Sequence, residues 1–432
     1  MYHFIGIKGS GMSALAQIMK SIGCNVEGSD VSSYFFTEDG LKKLNINVHE
    51  FDSKNIKKDM IIIKGNAFDE NNVEVKECNK LNIKMHSYQE LLSKLTRMFD
   101  TIAVCGTHGK TTTTSLITHV FKDNLDASFL IGDGRGSADI FNKYFIIEAC
   151  EYKRHFLKYY PTYVIITNIE LDHVDYYKSI EDLIDAYQEF GDKATKKVIA
   201  YGDDLNIKKL NFNNIITYGI NDSNDVVAKN IVYSKEGINF DVKIFDSFYG
   251  NFNLPIYGKH MILNVLACIT ICYLEGISKD NIELSLKSFN GAKRRFNEYV
   301  IGDTILIDDY AHHPTEINAL IDSVKQKYPD KKMIGVFEPH TFSRTKKFSK
   351  EIGIALNKLD YNFIMDIHPS RELQSDYPDI TKYTLMQYLD NCDSIDLNEA
   401  EKLVKYKNCV ILFMSPNDIS VLENDFKKIL EL

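Results

Sequence analysis

The sequence predicts an α/β protein built from three domains. Its 432 residues exceed what one ordinary hydrophobic core accommodates. Short apolar runs typical of buried strands alternate along the chain with segments of helical periodicity. Several of these runs end in glycine-containing or polar turns that lead into a helix, which is the order expected of mostly parallel sheets. We place the domains at residues 1–99, 100–296 and 297–432.

Composition argues against several classes of protein. The formal net charge of −9 leaves no basic excess to neutralise phosphates, so no nucleic-acid partner is expected. No apolar run approaches the length of a membrane span, so no membrane partner is expected either. The eight cysteines are scattered without zinc-like spacing and are predicted to be small buried hydrophobes kept reduced. We therefore expect a cytoplasmic protein. A monomer or a weak homodimer is the expected assembly.

The first domain begins with a strand, a glycine-containing turn and a helix. The strand is predicted at 2–7, the helix at 12–22 and a second strand at 25–30. The turn consists of Gly9, Ser10, Gly11 and Met12. A diphosphate held at the helix N-terminus, with Asp30 near a ribose or base, is one interpretation of this Rossmann-like unit. The other is a tight turn that needs glycine only for packing.

The central domain opens with the most informative stretch of the chain. An apolar strand at 102–105 is followed by a turn and then by a helical pattern. The turn and helix start consist of Gly106, Thr107, His108, Gly109, Lys110, Thr111 and Thr112. Val104 stands where the full P-loop pattern has its first glycine, so this is a shortened version. Backbone N–H groups pointing into the turn, the Lys110 ammonium and the Thr111 hydroxyl predict a site for a nucleotide triphosphate with Mg²⁺.

Two further apolar runs of this domain end in residues that can bind a metal. Strands are predicted at 145–150 and 163–169, with Glu148 and His173 at or beyond their ends. Because ligands of open α/β sheets lie beyond the carboxyl ends of strands, these side chains and Thr111 form a candidate magnesium set. A lone histidine after a strand is more often structural, which is the alternative for His173.

The rest of the central domain departs from the parallel pattern. Alternating segments between 225 and 257 predict a small antiparallel flank. A helix is predicted at 260–277, with His260 and Asn264 one turn apart on the same face. Arg295 follows in a glycine-led loop that is either a solvated surface or a phosphate clamp.

The third domain is predicted to be Rossmann-like, because strands and helices alternate to the end of the chain. A strand at 304–309 ends in Asp309, and a helix begins at Pro314. A strand at 332–338 leads to His340 and Arg344. Further strands are predicted at 363–367 and 410–414. The polar residues at these strand ends indicate a site, but their spacing does not name its substrate.

Seven motifs give the chain a resemblance to a known family. They are GIKGSGMSALAQIM (6–19), GTHGKTTTT (106–114), EACEYKRHFL (148–157), TNIELDHVDYY (167–177), GAKRRFNE (291–298), DDYAHHPTEI (308–317) and EPHTFSRT (338–345). Over almost its whole length the chain resembles the Mur ligases of peptidoglycan synthesis. The second motif is typical of the wider family, which includes folylpolyglutamate synthase. The first and sixth narrow the resemblance to the branch that adds L-alanine to UDP-N-acetylmuramate and to its relative, murein peptide ligase.

The resemblance implies three domains that bind, in order, the UDP sugar, ATP and the amino acid. It implies ATP and Mg²⁺ as cofactors and an amide bond formed through an acyl phosphate. The implied catalytic residues are Lys110, Glu148, His173, Arg295, Asp309, His340 and Arg344. The implied ATP contacts are Gly106, Thr107, His108, Gly109, Lys110, Thr111, Thr112, His260, Asn264, Arg295 and Asp309. The implied substrate contacts are Gly9, Ser10, Gly11, Met12 and Asp30 for the UDP sugar, and His340 and Arg344 for the amino acid. The implied metal ligands are Thr111, Glu148 and His173.

The chain departs from the family pattern in three places. Met261 follows His260 where many members have asparagine, Thr341 replaces a common arginine, and the usual G-A-G-D turn is replaced by residues 415–418, SPND. Pro416 removes an N–H group from that turn.

Two functions of other classes remain as alternatives at this point. One is a non-catalytic nucleotide-binding protein on the same scaffold. The other is an oxidoreductase that binds NAD at the first βαβ unit. The base that accepts a proton from the incoming amine stays open among His312, His313 and His340.

Overall fold

The computed structural model describes residues 1–370 and 372–431, whose strands form three sheets with helices on their faces. The fold class is confirmed: this is a three-domain α/β protein with mostly parallel sheets. The boundaries at 99 and 296 stay a prediction. By Cα proximity the chain divides into two compact units. The first comprises Met1–Asn230, Phe240–Phe252 and Leu263–Asn290; the second comprises Ile231–Asn239, Asn253–Ile262 and Gly291–Leu432.

The first sheet has five parallel strands in the order β3-β2-β1-β4-β5. The strands are β1 (Tyr2–Ile5), β2 (Val26–Asp30), β3 (Asn47–Glu50), β4 (Ile61–Lys64) and β5 (Met85–Ser87). The helices are α1 (Ser10–Ser21), α2 (Glu38–Lys43), α3 (Val73–Lys80) and α4 (Tyr88–Thr96). This strand order is that of a doubly wound nucleotide-binding sheet. Helix α1 begins two residues earlier than predicted and buries Leu15, Ile18 and Met19.

The second sheet has ten strands in the order β15-β14-β13-β12-β11-β10-β6-β9-β7-β8. The strands are β6 (Asp100–Cys105), β7 (Ala127–Leu130), β8 (Gly136–Ser137), β9 (Tyr144–Glu148), β10 (Tyr163–Ile166), β11 (Lys197–Tyr201), β12 (Ile215–Gly219), β13 (Val226–Ser234), β14 (Gly237–Ile244) and β15 (Ser247–Leu254). The helices are α5 (Lys110–Asn124), α6 (Ile180–Gly191), α7 (Lys259–Leu274) and α8 (Lys279–Lys287). Two-residue turns join neighbouring strands β13, β14 and β15, so these run antiparallel and form the predicted flank.

The third sheet has six strands in the order β16-β17-β21-β18-β19-β20. The strands are β16 (Asn297–Ile301), β17 (Thr304–Asp309), β18 (Met333–Phe337), β19 (Tyr361–Ile364), β20 (Cys392–Ser394) and β21 (Val410–Met414). The helices are α9 (Pro314–Lys327), α10 (Phe342–Leu356), α11 (Lys382–Met386) and α12 (Ser420–Glu431). Only edge strand β16 pairs antiparallel among the described pairings. Pro314 occupies the first turn of α9 as predicted, because its missing N–H costs nothing there.

Each unit has its own hydrophobic core. In the first unit one buried cluster includes Phe4 of β1 and Leu15 of α1 together with Phe145 of β9 and Val164 of β10. In the second unit alternate residues of the strands face opposite sides, since Ile307 and Leu412 belong to one cluster and residues 306 and 413 to the other.

The cysteines are free, and five of the eight are buried as expected. Cys150 is exposed, contrary to the prediction, because it lies in the turn after β9 and not within the strand. Across residues 1–370 and 372–431, no helix combines the length and the apolar character needed to cross a bilayer.

Candidate active site

A glycine-containing loop connects the middle of the second sheet to α5. Strand β6 lies between β10 and β9, with Cys105 opposite Ile166 and Val104 opposite Glu148. The loop therefore leaves the sheet between two other strand ends, and α5 begins at Lys110. The first N–H groups of a helix have no intrahelical acceptor, so the start of α5 is suited to binding an anion.

Gly109 is required at the junction of loop and helix. Its φ of +82° lies in the left-handed region, and a Cβ there would come within 2.8 Å of Asn264 Oδ1. The hydroxyl of Thr113 donates to the same oxygen over 3.2 Å. Asn264 is buried and packs behind the first turn of α5. Its expected contact with adenine stays a prediction.

The loop is fastened to the segment that follows β10. The Thr107 N–H donates to Asn168 O (3.0 Å), and the His108 N–H donates to Asn168 Oδ1 (2.9 Å). The Thr107 hydroxyl donates to Glu170 O (2.8 Å), and His108 Nε2 lies 3.1 Å from Glu170 Oε2. The expectation that backbone N–H groups point into the turn is therefore not met by Thr107 and His108. These contacts also end β10 at Ile166, three residues earlier than predicted.

Lys110 is held by oxygen atoms on several sides. Its ammonium donates to the carbonyls of Gly106 and Thr107 and lies 3.2 Å from both carboxylate oxygens of Glu151. Burial alone would lower the pKa of Lys110, but the Glu151 carboxylate raises it above its usual value. The loop therefore carries a fixed positive charge beside the helix N-terminus.

Thr111 and Glu148 form a pair of oxygen donors next to this charge. The Thr111 hydroxyl donates to Glu148 Oε2 over 2.8 Å, and the Gly132 N–H donates to the same oxygen over 2.9 Å. A hydroxyl and a carboxylate are the ligand types that Mg²⁺ prefers, and they lie where a triphosphate on α5 would bring the ion. The residues present fit a magnesium ion.

His173 lies beside Glu151. Its Nε2 is 3.5 Å from Glu151 Oε1, and its ring packs 4.9 Å from that of Tyr152. His173 has a φ of +50°, an uncommon conformation for a residue other than glycine. Burial by itself would raise the pKa of Glu151, but Lys110 and His173 outweigh it and hold that pKa below its usual value. Two of the three predicted metal ligands, Thr111 and Glu148, are therefore in contact with each other. The third, His173, contacts Glu151.

Two of the residues expected to bind ATP lie in the second unit. His260 is expected near the adenine and Arg295 near the phosphates. Burial lowers the pKa of His260 to about 4, and the Arg295 guanidinium acts in the same direction. His260 is therefore neutral at physiological pH. Arg295 lies over the ring of Tyr310 at 4.8 Å and 3.6 Å from Glu316 Oε1.

Asp309 connects the end of β17 to the segment that precedes β16. Its two carboxylate oxygens accept from the N–H groups of Ala311 and Phe296, each over 2.8 Å. Burial raises the pKa of Asp309 to about 6, although Arg295 and these two N–H groups oppose the shift.

The neighbouring arginine, Arg294, is a structural residue. It pairs with Asp308 and donates to the carbonyls of Ser415 (2.8 Å) and Pro416 (3.3 Å). The unusual SPND turn therefore uses its carbonyl groups, which Pro416 retains.

A histidine cluster surrounds the predicted amino-acid residues. Arg344 lies on the first turn of α10, and its Nη1 is 3.1 Å from His340 Nδ1. The His340 ring stacks on that of His368 at 5.8 Å and meets that of His312 edge-on at 5.8 Å. Thr341, which replaces a common arginine, caps α10 by accepting from the Arg344 N–H.

In the first domain, Asp30 fastens the glycine turn. Its carboxylate accepts from the N–H groups of Lys8 (2.7 Å) and Val31 (2.8 Å), and burial raises its pKa. Gly9 caps α1, and Met12 is buried in the core. The roles of these residues toward a UDP sugar stay predictions.

Sequence analysis assigned no role to Glu151 and did not identify His368. Glu151 lies three residues beyond Glu148, and His368 lies four residues beyond the end of β19. Both follow the carboxyl ends of strands, so a systematic search of such positions would have found them.

Comparisons with known proteins place this geometry in a family. Profiles described as "Mur ligase family, catalytic domain", "Mur ligase middle domain" and "Mur ligase, glutamate ligase domain" match residues 1–100, 104–272 and 294–405. Together they cover most of the chain.

Solved structures agree over the whole length. UDP-N-acetylmuramate-alanine ligase from Thermotoga maritima is 25% identical with a TM-score of 0.84, covering 100% of this chain and 99% of that one. A murein peptide ligase from Psychrobacter arcticus is 21% identical with a TM-score of 0.76, covering 99% and 98%. MurF ligase from Thermotoga maritima, solved with ADP, is 17% identical with a TM-score of 0.63, covering 96% and 98%. With all three of its domain types matched in order, the chain belongs to the Mur ligase family.

Proposed function

We propose that this protein is the ligase that joins L-alanine to the lactyl carboxylate of UDP-N-acetylmuramate, with ATP converted to ADP and phosphate. One observation carries the chemical part of the proposal: Lys110, Thr111 and Glu148 converge at the N-terminus of α5. The choice of L-alanine is supported by the full-length similarity to the Thermotoga alanine ligase.

The chemistry explains why a phosphate site is needed. A carboxylate is a poor electrophile, so its oxygen first attacks the γ-phosphorus of ATP and ADP leaves. The amine of L-alanine then attacks the acyl phosphate carbon, phosphate leaves, and the nitrogen loses a proton. Negative charge spreads over the transferring phosphoryl oxygens, so catalysis depends on fixed positive charge and N–H groups. The Lys110 ammonium and the start of α5 supply both.

Thr111 and Glu148 would hold the magnesium ion, with His173 as the third proposed ligand. When bound, the ion neutralises phosphate charge and aligns the terminal phosphate. The protein's own contribution is to fix the hydroxyl and the carboxylate 2.8 Å apart before the ion arrives.

The other site residues are proposed to act as the resemblance implies. His260 and Asn264 would contact adenine, and Arg295 and Asp309 would act at the phosphates. The turn at 9–12, with Asp30, would hold the UDP sugar.

Recognition of the amino acid is proposed for His340 and Arg344 in the third domain. A guanidinium donates two parallel hydrogen bonds to a carboxylate, which suits the α-carboxylate of L-alanine. The His340–Arg344 contact at 3.1 Å supports a fixed guanidinium. We place the reaction in the cytoplasm, consistent with eight free cysteines.

A second candidate is murein peptide ligase, which would join a recovered tripeptide to the same sugar. The structural similarity to the Psychrobacter enzyme shows the shared fold and keeps this candidate open.

The proposal is tested by measuring ADP release from ATP in the presence of UDP-N-acetylmuramate, with one acceptor added at a time. We expect release with L-alanine and little with glycine, L-serine or the tripeptide. Release with the tripeptide alone would favour the second candidate. Lack of release with any acceptor, by a chain that still binds ATP, would contradict the proposed function.

A further inference from the structure

Glu151 occupies the point where the phosphate loop and the segment after β10 meet. It lies in the turn that follows β9, and only 2% of its surface is exposed to solvent. The hydroxyl of Tyr177 donates to its backbone carbonyl, which fixes that turn. The carboxylate is therefore directed by a rigid backbone.

This single carboxylate contacts both functional side chains nearby. Lys110 Nζ lies 3.2 Å from each of its oxygens, and His173 Nε2 lies 3.5 Å from Oε1. Only Oε1 meets the geometry of a hydrogen bond; within the described residues the buried Oε2 has no hydrogen-bond partner. A buried charge with an unfilled acceptor is costly to fold, which argues that its position serves more than packing.

The contacts indicate how Glu151 acts. Without it, the Lys110 ammonium would keep its bonds to two neutral carbonyls but lose the one carboxylate in direct contact with it. Its position at the start of α5 would then be less well fixed. His173 would lose the partner that orients Nε2, leaving its ring free to rotate.

We infer that Glu151 is a positioning residue that holds Lys110 and His173 in the geometry required to bind the phosphates of ATP. In this role it acts through these two side chains, which it contacts directly. The inference rests on the proposed function, since it assumes that ATP binds at the Lys110 loop.

Calorimetric titration of the full chain with ATP and Mg²⁺ tests this role, because it reports affinity and the number of competent sites separately. The variants are Glu151→Gln, which removes the charge, and Glu151→Asp, which keeps it on a shorter side chain. The control is Glu189→Gln, on an exposed carboxylate that pairs with Arg154 in the same unit.

We expect Glu151→Gln to weaken ATP binding at least tenfold with an unchanged number of sites. The ATP affinity of Glu151→Asp should lie between those of Glu151→Gln and the wild type. The affinity of the control variant should stay within twofold of the wild type. Unchanged or tighter binding by Glu151→Gln would overturn the inference. So would a loss of sites with unchanged affinity, which is the signature of a purely structural residue.

The two proposals fail separately. A wild type that binds ATP but forms no amide contradicts the proposed function and leaves the role of Glu151 to the titration. A wild type that forms the amide, with Glu151→Gln binding ATP normally, contradicts the inference alone. A wild type without affinity for ATP contradicts both.

Discussion

The hydroxyl of Thr111 donates to the carboxylate of Glu148 over 2.8 Å, although the two residues are 37 positions apart in the chain. The contact forms because β6 and β9 are neighbours, with Val104 opposite Glu148. The residues that follow β6 must therefore pass the end of β9, and the first turn of α5 meets the carboxylate there.

Replacing Thr111 by valine is expected to weaken Mg²⁺-dependent ATP binding about tenfold. Valine has the same shape but removes the hydroxyl, and a hydrogen bond to a charged group contributes about 1.5–3 kcal/mol. Titration with ATP at several Mg²⁺ concentrations measures the change. The Thr111→Ser variant keeps the hydroxyl and should bind ATP with normal affinity. Equal ATP affinity of the valine and serine variants would contradict the proposal that Thr111 is a metal ligand.

Replacing Lys110 by alanine is expected to abolish turnover and also to destabilise the first unit by about 3–5 kcal/mol. The loss of stability follows because the buried Glu151 carboxylate loses its lysine partner and keeps only the longer contact with His173. Chemical denaturation measures it. The double variant Lys110→Ala/Glu151→Gln should regain much of the stability while staying inactive. Near-normal turnover of Lys110→Ala would exclude this lysine from the chemistry.

Gly109→Ala is expected to impair ATP binding far more than a matched substitution elsewhere. The new Cβ would lie 2.8 Å from Asn264 Oδ1 in a left-handed conformation, which itself costs about 1–2 kcal/mol. Gly276 has a similar φ of +77°, and a Cβ added there would meet nothing within 4 Å, so Gly276→Ala isolates the conformational cost. Equal effects on ATP affinity would show that the Asn264 contact is unimportant.

Glu74 is expected to make the stability of the first unit depend on pH. Burial by itself would raise the pKa of Glu74, but His3, Ser29 and Asn55 outweigh it and hold that pKa below its usual value. A carboxylate with a lowered folded pKa adds stability above its unfolded pKa, and that stability disappears as pH falls through the folded pKa.

Urea unfolding of Glu74→Gln measures this contribution. We expect a loss of about 2 kcal/mol at pH 7, shrinking as the pH is lowered below the ordinary carboxyl pKa of about 4.3. Glu50→Gln, at an exposed position of the same sheet, is the control. A difference between wild type and Glu74→Gln that stays constant with pH would contradict the assignment.

Arg344→Lys is expected to raise the KM for the amino acid about tenfold and to leave the KM for ATP within twofold. Lysine keeps the charge but cannot donate two parallel hydrogen bonds to one carboxylate. Lys346→Ala, at an exposed position of the same helix, controls for general effects on α10. A change in both KM values together would argue against a specific amino-acid contact.

Much of the fold followed from local sequence patterns. The start of α5 next to a strand end, the edge of the antiparallel flank and the N-terminus of α9 at Pro314 are set by residues close in sequence. The proximity of Thr111 and Glu148 could also be predicted, because Thr111 follows β6 and Glu148 ends β9, and both strands end at the same edge of the sheet.

The contacts that could not be predicted depend on how chain segments bend after they leave the sheets. Glu151 reaches Lys110 only because the turn after β9 folds back toward the loop, which no periodicity encodes. His368 stacks on His340 because β19 pairs with β18 and a bridge joins the two residues beyond the strands. Such contacts between distant segments arise from tertiary structure, so sequence spacing could not assign them.

The contacts of Thr107 and His108 with Asn168 have a consequence for nucleotide capture. Because two loop amides are already tied to the adjoining segment, the conformational entropy of ordering this loop is lost when the protein folds and not when the nucleotide arrives. If ATP binds at this loop, as we propose, the triphosphate would meet a loop whose shape is set in advance. Its rate of capture would then be governed by diffusion and charge more than by loop rearrangement.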